Sequence, residues 1–188
     1  MTAVLASRNR HKARELEVLL PGFAIEPFDA DDYPPETGST YVENARAKAR
    51  FVWRPGVWAL GEDSGIEVAA LDGRPGILSA RYAPEGAPAI ARLLDELAGV
   101  ADRAARYVSE LVALTPGGDE LRGTGVLDGW IAGEPRGSEG FGYDPIFVPE
   151  GEERTVAELG DAWKALHSHR SRAARALREA VDRLGAGP

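Results

Sequence analysis

Blocks of apolar residues separated by short polar stretches predict strands and helices in alternation along most of the chain. Thr2 to Ala6 is apolar and suits a buried strand, and Leu16, Leu19 and Leu20 recur at helical spacing over Arg10 to Leu20. The chain therefore opens as strand, polar loop, helix. Ala24 to Phe28 reads as a second strand, and the polar stretch Asp29 to Ser39 contains Pro34 and Pro35, which exclude a helix there. Thr40 and Glu43 have the spacing of a capping box, so a helix starts at Thr40 and runs through Ala45, Ala47, Ala49 and Phe51 to about Arg54, where Pro55 and Gly56 stop it. Two short strands follow, Val57 to Leu60 and Ile66 to Leu71, the second ending in an Asp72 to Gly76 turn. Pro88 suits the first turn of a helix reaching Leu97. Arg106 to Leu114 and Leu121 to Ile131 read as strands joined through Pro116, Gly117 and Gly118, in the middle of a sheet. Ala132 to Gly142 is too rich in glycine for a regular element, and Pro145 to Val148 supplies a last strand. A closing helix is expected from about Ser168 to Leu184, with a start as early as Asp161 left open and Ala173, Leu177, Ala180 and Leu184 on its apolar face.

At 188 residues with 44% hydrophobic positions, this pattern fits a single domain with a sizeable core, spanning residues 1–188. The N-terminus has no apolar stretch behind a basic region, and no run approaches membrane-spanning length, so a cytoplasmic protein with no membrane partner is expected. Without cysteine there is no thiolate metal site, and three histidines make a histidine-rich zinc site improbable, which leaves a hard cation held by carboxylates. A net charge of −8 argues against nucleic acid as a partner, because phosphate-backbone affinity needs a basic surface. The C-terminal arginines, interleaved with Glu179 and Asp182 on an Ala-rich stretch, read as a solvated helical face.

One bias changes the picture. The chain has nineteen arginines and three lysines, and each lysine (Lys12, Lys48, Lys164) sits in a segment crowded with Gly, Asn, Ser, His or Glu. A compact, rotatable ammonium grips a phosphate or carbonyl oxygen as a point charge, a different task from that of a planar guanidinium. Ser7, Arg8, Asn9, Arg10, His11 and Lys12 form a loop between strand and helix. A helix N-terminus there welcomes an anion, with Lys12 one turn in to meet it, while helix capping by Ser7 or Asn9 is the plainer alternative. Glu36, Glu43, Glu62 and Asp63 are acids near turns or helix starts, and the capping box already accounts for Glu43. Magnesium takes a few carboxylate oxygens plus water and phosphate, and a neighbouring carboxylate can accept a proton from an attacking water; Glu62 and Asp63 suit that division. Phe141, Gly142, Tyr143 and Asp144 offer a stacking surface and an acceptor for a nucleobase, or simply a packed turn. Lys164, Ser168, His169 and Arg170 gather donors that would favour a 6-oxo over a 6-amino purine, or else mark a basic helix start.

Taken in order, SRNRHKARELEVLL, ETGSTYVENARAKA, GEDSGIEVAALDGRPGILSARY, GFGYDPIF and KALHSHRSRAARAL resemble the inosine triphosphate pyrophosphatase family over almost the whole chain. The resemblance implies an α/β fold with a mixed central sheet flanked by helices, two lobes around a substrate cleft, and a homodimer. It implies Mg2+-dependent hydrolysis of ITP, dITP or XTP to the monophosphate and pyrophosphate. On the same basis Ser7 to Lys12 and Lys48 would bind the triphosphate, Asp63 would be the proton acceptor and Ser64 its substrate-contacting neighbour. Glu36, Glu62 and Asp63 would hold the metal, and Phe141 to Asp144 with Lys164, His169 and Arg170 would form the base site. The chain departs from the common pattern in having Glu62 where Asp is frequent, Ser7 where Thr is frequent and Arg8 where Gly is frequent. The alternatives are a nucleotide-sensing module without catalysis and a pyrophosphatase for modified pyrimidine nucleotides.

Overall fold

A computed structural model describes residues 1–30, 33, 35–84 and 86–185. Pro34, one of the two prolines expected to bar a helix, lies outside the described residues. The elements run β1 (Thr2–Leu5), α1 (Arg10–Leu19), β2 (Ala24–Pro27), α2 (Tyr41–Val52), β3 (Trp58–Val68), α3 (Ala87–Glu96), β4 (Ala104–Leu114), β5 (Glu120–Ile131), β6 (Phe147–Pro149), α4 (Val156–His167) and α5 (His169–Arg183). The strands form one mixed six-stranded sheet in the order β2-β1-β3-β4-β5-β6, with β1 parallel to both β2 and β3 and with β5 antiparallel to β6.

Contacts divide the chain into two compact units, one of residues 1–63, 109–125 and 169–188, the other of residues 64–108 and 126–168. In the first unit, alternation along the strands sorts the core into two clusters. Ala3, Leu5, Trp58, Leu60, Leu111 and Ala113 pack with α1 and α5, whereas Ala6, Ala59, Val112 and Leu114 pack with α2. A helix layer thus covers each face there. The second unit has its own cluster, in which Ile66, Val68, Ile90, Leu93, Tyr107, Leu127, Ile146, Phe147 and Val156 come together.

Two expectations change. The strands foreseen at Val57 to Leu60 and Ile66 to Leu71 are one eleven-residue strand, β3, and the polar Glu62, Asp63 and Ser64 lie within it. The ladder continues through them because the two acids meet cations on either side, as described below. The single closing helix is two, separated by extended backbone at Ser168 (φ −63°, ψ 160°). Its earlier half begins at Val156 behind a capping box of Thr155 and Glu158 and is interrupted at Gly160 (φ 83°, ψ 177°), next to the start considered at Asp161. On α5 the buried face is Ala173, Ala174, Leu177 and Val181, and Leu184 is exposed.

Candidate active site

Glu62 and Asp63 are neighbours on an extended strand, so their side chains leave opposite faces of the sheet. Which cation each meets depends on how closely the helices approach. A Cβ on Gly61 would overlap the Ala45 carbonyl oxygen and stand 2.6 Å from the Ala49 nitrogen, so α2 rests directly on the β3 backbone. Ala45 and Ala49, both fully buried, supply the flat face that permits it. Asn44 and Lys48, one turn apart on α2, therefore reach the same carboxylate. Asn44 Nδ2 donates to Asp63 Oδ2 at 3.1 Å, and Lys48 Nζ donates to Asp63 Oδ1 at 2.8 Å and to the Glu62 carbonyl oxygen at 3.2 Å. Lys48 is also ion-paired with Glu36. Burial pushes the Asp63 carboxyl up, and the Lys48 ammonium and the Asn44 amide pull back without cancelling the rise. Burial also disfavours the charged Lys48, but Asp63 and Glu36 outweigh it and raise its pKa.

On the other face, a Cβ on Gly125 would overlap the His169 carbonyl oxygen and stand 2.5 Å from the Ala173 nitrogen, so the start of α5 lies against β5. This close approach brings Arg170 inward, 2% exposed, with Nη2 3.1 Å and Nε 3.3 Å from Glu62 Oε1 and Nη1 bonded to Glu15. Ser109 Oγ donates to the same Glu62 oxygen at 3.2 Å, and Lys12 Nζ lies 2.6 Å from Oε2. Desolvation raises the Glu62 carboxyl, yet Arg170 and Lys12 win and hold it well below the usual carboxylate range. Glu62 is thus a buried anion balanced by two cations.

The first loop is placed by its own side chains. Ser7 Oγ accepts from the Asn9 amide at 3.1 Å, and Asn9 Oδ1 caps α1 by accepting from the amides of His11 at 2.9 Å and Lys12 at 3.2 Å. The capping reading therefore holds for Asn9, and Lys12 leaves the first turn toward Glu62. Arg8 stands over the Tyr33 ring, 5.4 Å from its centroid, and bonds the Ala30 carbonyl. Arg10 and His11 begin α1 on its exposed side.

In the second unit, Asp144 is buried and collects donors: the Phe141 amide at 2.9 Å, Lys164 Nζ at 3.0 Å and Tyr107 Oη at 3.3 Å. Lys164 Nζ also sits 4.6 Å from the centre of the Phe141 ring, a cation–π contact. Gly142 (φ 63°) turns the loop between them. Tyr143 points into the core, its hydroxyl donating to the Ser79 carbonyl at 3.3 Å, and burial pushes its phenol up to about 12. Ser64 is half-buried on β3.

In the first unit the structure brings Lys12, Glu62 and Arg170 together on one face of the sheet and Lys48, Glu36 and Asp63 together on the other, and in the second unit it brings Phe141, Asp144 and Lys164 together. Arg170, read from sequence as a base contact, has its guanidinium engaged by Glu62 and Glu15, and His169 is buried at the start of α5 in the first unit. Sequence reasoning passed over Asn44, Glu15, Ser109 and Tyr107. Asn44 alone carried a local signal, its one-turn spacing from Lys48; the others are defined by partners distant in the chain.

Residues 3–180 match the Ham1 family. The chain is 43% identical to the dITP/XTP pyrophosphatase of Gloeobacter violaceus, covering 96% of this chain and 94% of that one. It is 46% identical to the dITP/XTP pyrophosphatase of Leifsonia xyli, over 93% and 92%. Among solved structures, the Staphylococcus aureus Ham1 protein superposes with a TM-score of 0.84 at 34% identity, covering 98% of this chain and all of that one.

Proposed function

The chain belongs to the Ham1 family, and from that premise we propose that it hydrolyses non-canonical purine nucleoside triphosphates, ITP, dITP or XTP, to the monophosphate and pyrophosphate, and so cleanses the nucleotide pool. The observation that carries the reading is Asp63, a buried carboxylate whose pKa burial raises and whose two oxygens are fixed by Asn44 and Lys48. A raised, oriented carboxylate is a proton acceptor for an attacking water. Lys12 and Lys48 neutralise the triphosphate, with side chains of the Ser7 to Lys12 loop beside them. Ser64, next to Asp63, touches substrate. The purine lies against Phe141, with Lys164 presenting its ammonium to the 6-oxo oxygen and Asp144 holding that ammonium. The reading keeps the expectation of a single domain with two lobes that the family resemblance implies. Family resemblance carries one further reading, a homodimer; among the described residues no helix is long and apolar enough to cross a membrane.

Such chemistry is Mg2+-dependent in our reading. Glu36 and Asp63 fit the ion, because both turn toward one cation, the Lys48 ammonium, and two carboxylates with phosphate oxygens and water make a magnesium set. Glu62 does not share that ion, since its carboxylate leaves the other face of β3, toward Lys12, Arg170 and Ser109. Among the described residues no group of three or more acidic or histidine side chains is arranged to hold a metal, which leaves phosphate and water to complete the ligand set. Bound there, Mg2+ would offset charge on the phosphate oxygens. The test is a side-by-side assay of ITP, dITP, XTP, GTP, ATP and dTTP with and without Mg2+. Pyrophosphate from the first three is expected, whereas single phosphate, no turnover, or preference for dTTP would overturn the assignment.

A further inference from the structure

Lys48 occupies the place toward which two prospective metal ligands point. Its Nζ is 2.8 Å from Asp63 Oδ1, is ion-paired with Glu36 and donates to the Glu62 carbonyl oxygen at 3.2 Å. The second Asp63 oxygen is engaged by Asn44 Nδ2 at 3.1 Å. An ammonium and a hard divalent cation seek the same carboxylate oxygens, and like charges a few ångströms apart in a poorly solvated site repel strongly. Only one of them can be held there fully.

We infer that Lys48 is an internal competitor of the metal, a cation that occupies Glu36 and Asp63 in the free protein and leaves them for the substrate's phosphate oxygens when nucleotide arrives. The inference rests on the reading of Glu36 and Asp63 as metal ligands. The mobile part is the side chain alone: α2 is fixed against β3 through Ala45, Ala49 and Gly61, while four rotatable bonds carry the ammonium. The consequence is ordered binding. Free protein takes the metal weakly, and the triphosphate both brings the ion and gives Lys48 another anion to hold. Lys48 thereby positions Glu36 and Asp63 before the metal arrives and makes their occupancy depend on nucleotide.

Mn2+ titration without nucleotide, followed by the paramagnetic resonance of the free ion, reads the competition directly. Lys48→Met and Lys48→Gln remove the charge, and the second keeps a donor for Asp63 if the first does not fold; far-UV circular dichroism establishes which variants are native. Each folded variant is expected to bind Mn2+ at least about tenfold more tightly than wild type. Adding Glu36→Gln is expected to erase that gain, and Lys48→Arg, which keeps the charge, to stay near wild type. Unchanged or weaker Mn2+ binding in the folded charge-removing variants overturns the competitor role. Failure of the proposed activity shows elsewhere, as absent pyrophosphate release by the wild-type protein, because this titration contains no nucleotide. If Lys48→Met binds tightly and Glu36→Gln does not reduce it, the ligand assignment falls instead.

Discussion

All three lysines of the chain end on carboxylates: Lys12 on Glu62, Lys48 on Asp63 and Glu36, Lys164 on Asp144. Each places a compact, rotatable point charge against acid oxygens. The two acids in the middle of β3 have opposite electrostatic characters. Asp63 is raised by burial and suited to take a proton, so Asp63→Asn is expected to lower kcat at least about a hundredfold while nucleotide affinity survives, as measured by pyrophosphate release and by calorimetry. Full turnover in that variant would remove the proton-acceptor role. Glu62 is instead a lowered, charge-balancing anion, and Glu62→Gln leaves Arg170 and Lys12 facing a neutral amide. Breaking one partner of a buried pair costs about 3–5 kcal/mol, which urea unfolding at neutral pH measures; a loss near zero would mean that Glu62 is not the counter-ion of Arg170.

Among the elements, α2 and α5 reach the acids of β3 because glycines on the strands let them settle onto backbone. Gly61→Ala places a methyl where the Ala45 carbonyl lies, and backbone has no rotamer with which to yield. Moving α2 outward withdraws Asn44 and Lys48 from Asp63 together. The expected result is a loss of about 1–3 kcal/mol in stability and a larger fall in turnover than that loss would produce by itself, seen by comparing melting and kinetics below the melting transition. Unaltered kinetics would show that the close approach does not set the reach of Lys48. The capping boxes of α2 and α4, Thr40 with Glu43 and Thr155 with Glu158, are local and legible from spacing. The merging of two expected strands into β3 is different in kind. Three consecutive polar residues look like a strand end, and only charged partners on both faces let the strand run on.

For the whole molecule, buried titratable groups set the pH range of stability. Glu62 has a folded pKa below its unfolded value, so its contribution is present above the ordinary glutamate range and lost as pH falls toward the folded pKa. Tyr143 has a folded pKa raised from 10.0 to about 12, so its contribution is complete below the unfolded value and lost as pH climbs through that interval. Tyr143→Phe has no proton to lose. Its urea midpoint is expected to fall less steeply than that of wild type between those two values, at a small cost near neutrality for the hydroxyl bonded to the Ser79 carbonyl. Equal slopes would mean that alkaline unfolding is driven by other groups.

The sequence by itself determined most of the elements, the single α/β chain, the order of the five chemical segments, and the candidates Lys12, Lys48, Asp63, Asp144 and Lys164. Periodicity, caps and turns act over a few residues, so a linear reading recovers them. Tertiary structure alone decided which acid faces which cation. Glu62 and Arg170 lie 108 residues apart in the chain, and they meet because strand alternation and close helix packing put them on one face, with Asp63 and Lys48 on the other. No local pattern encodes that pairing, since it depends on where α2 and α5 come to rest on the sheet.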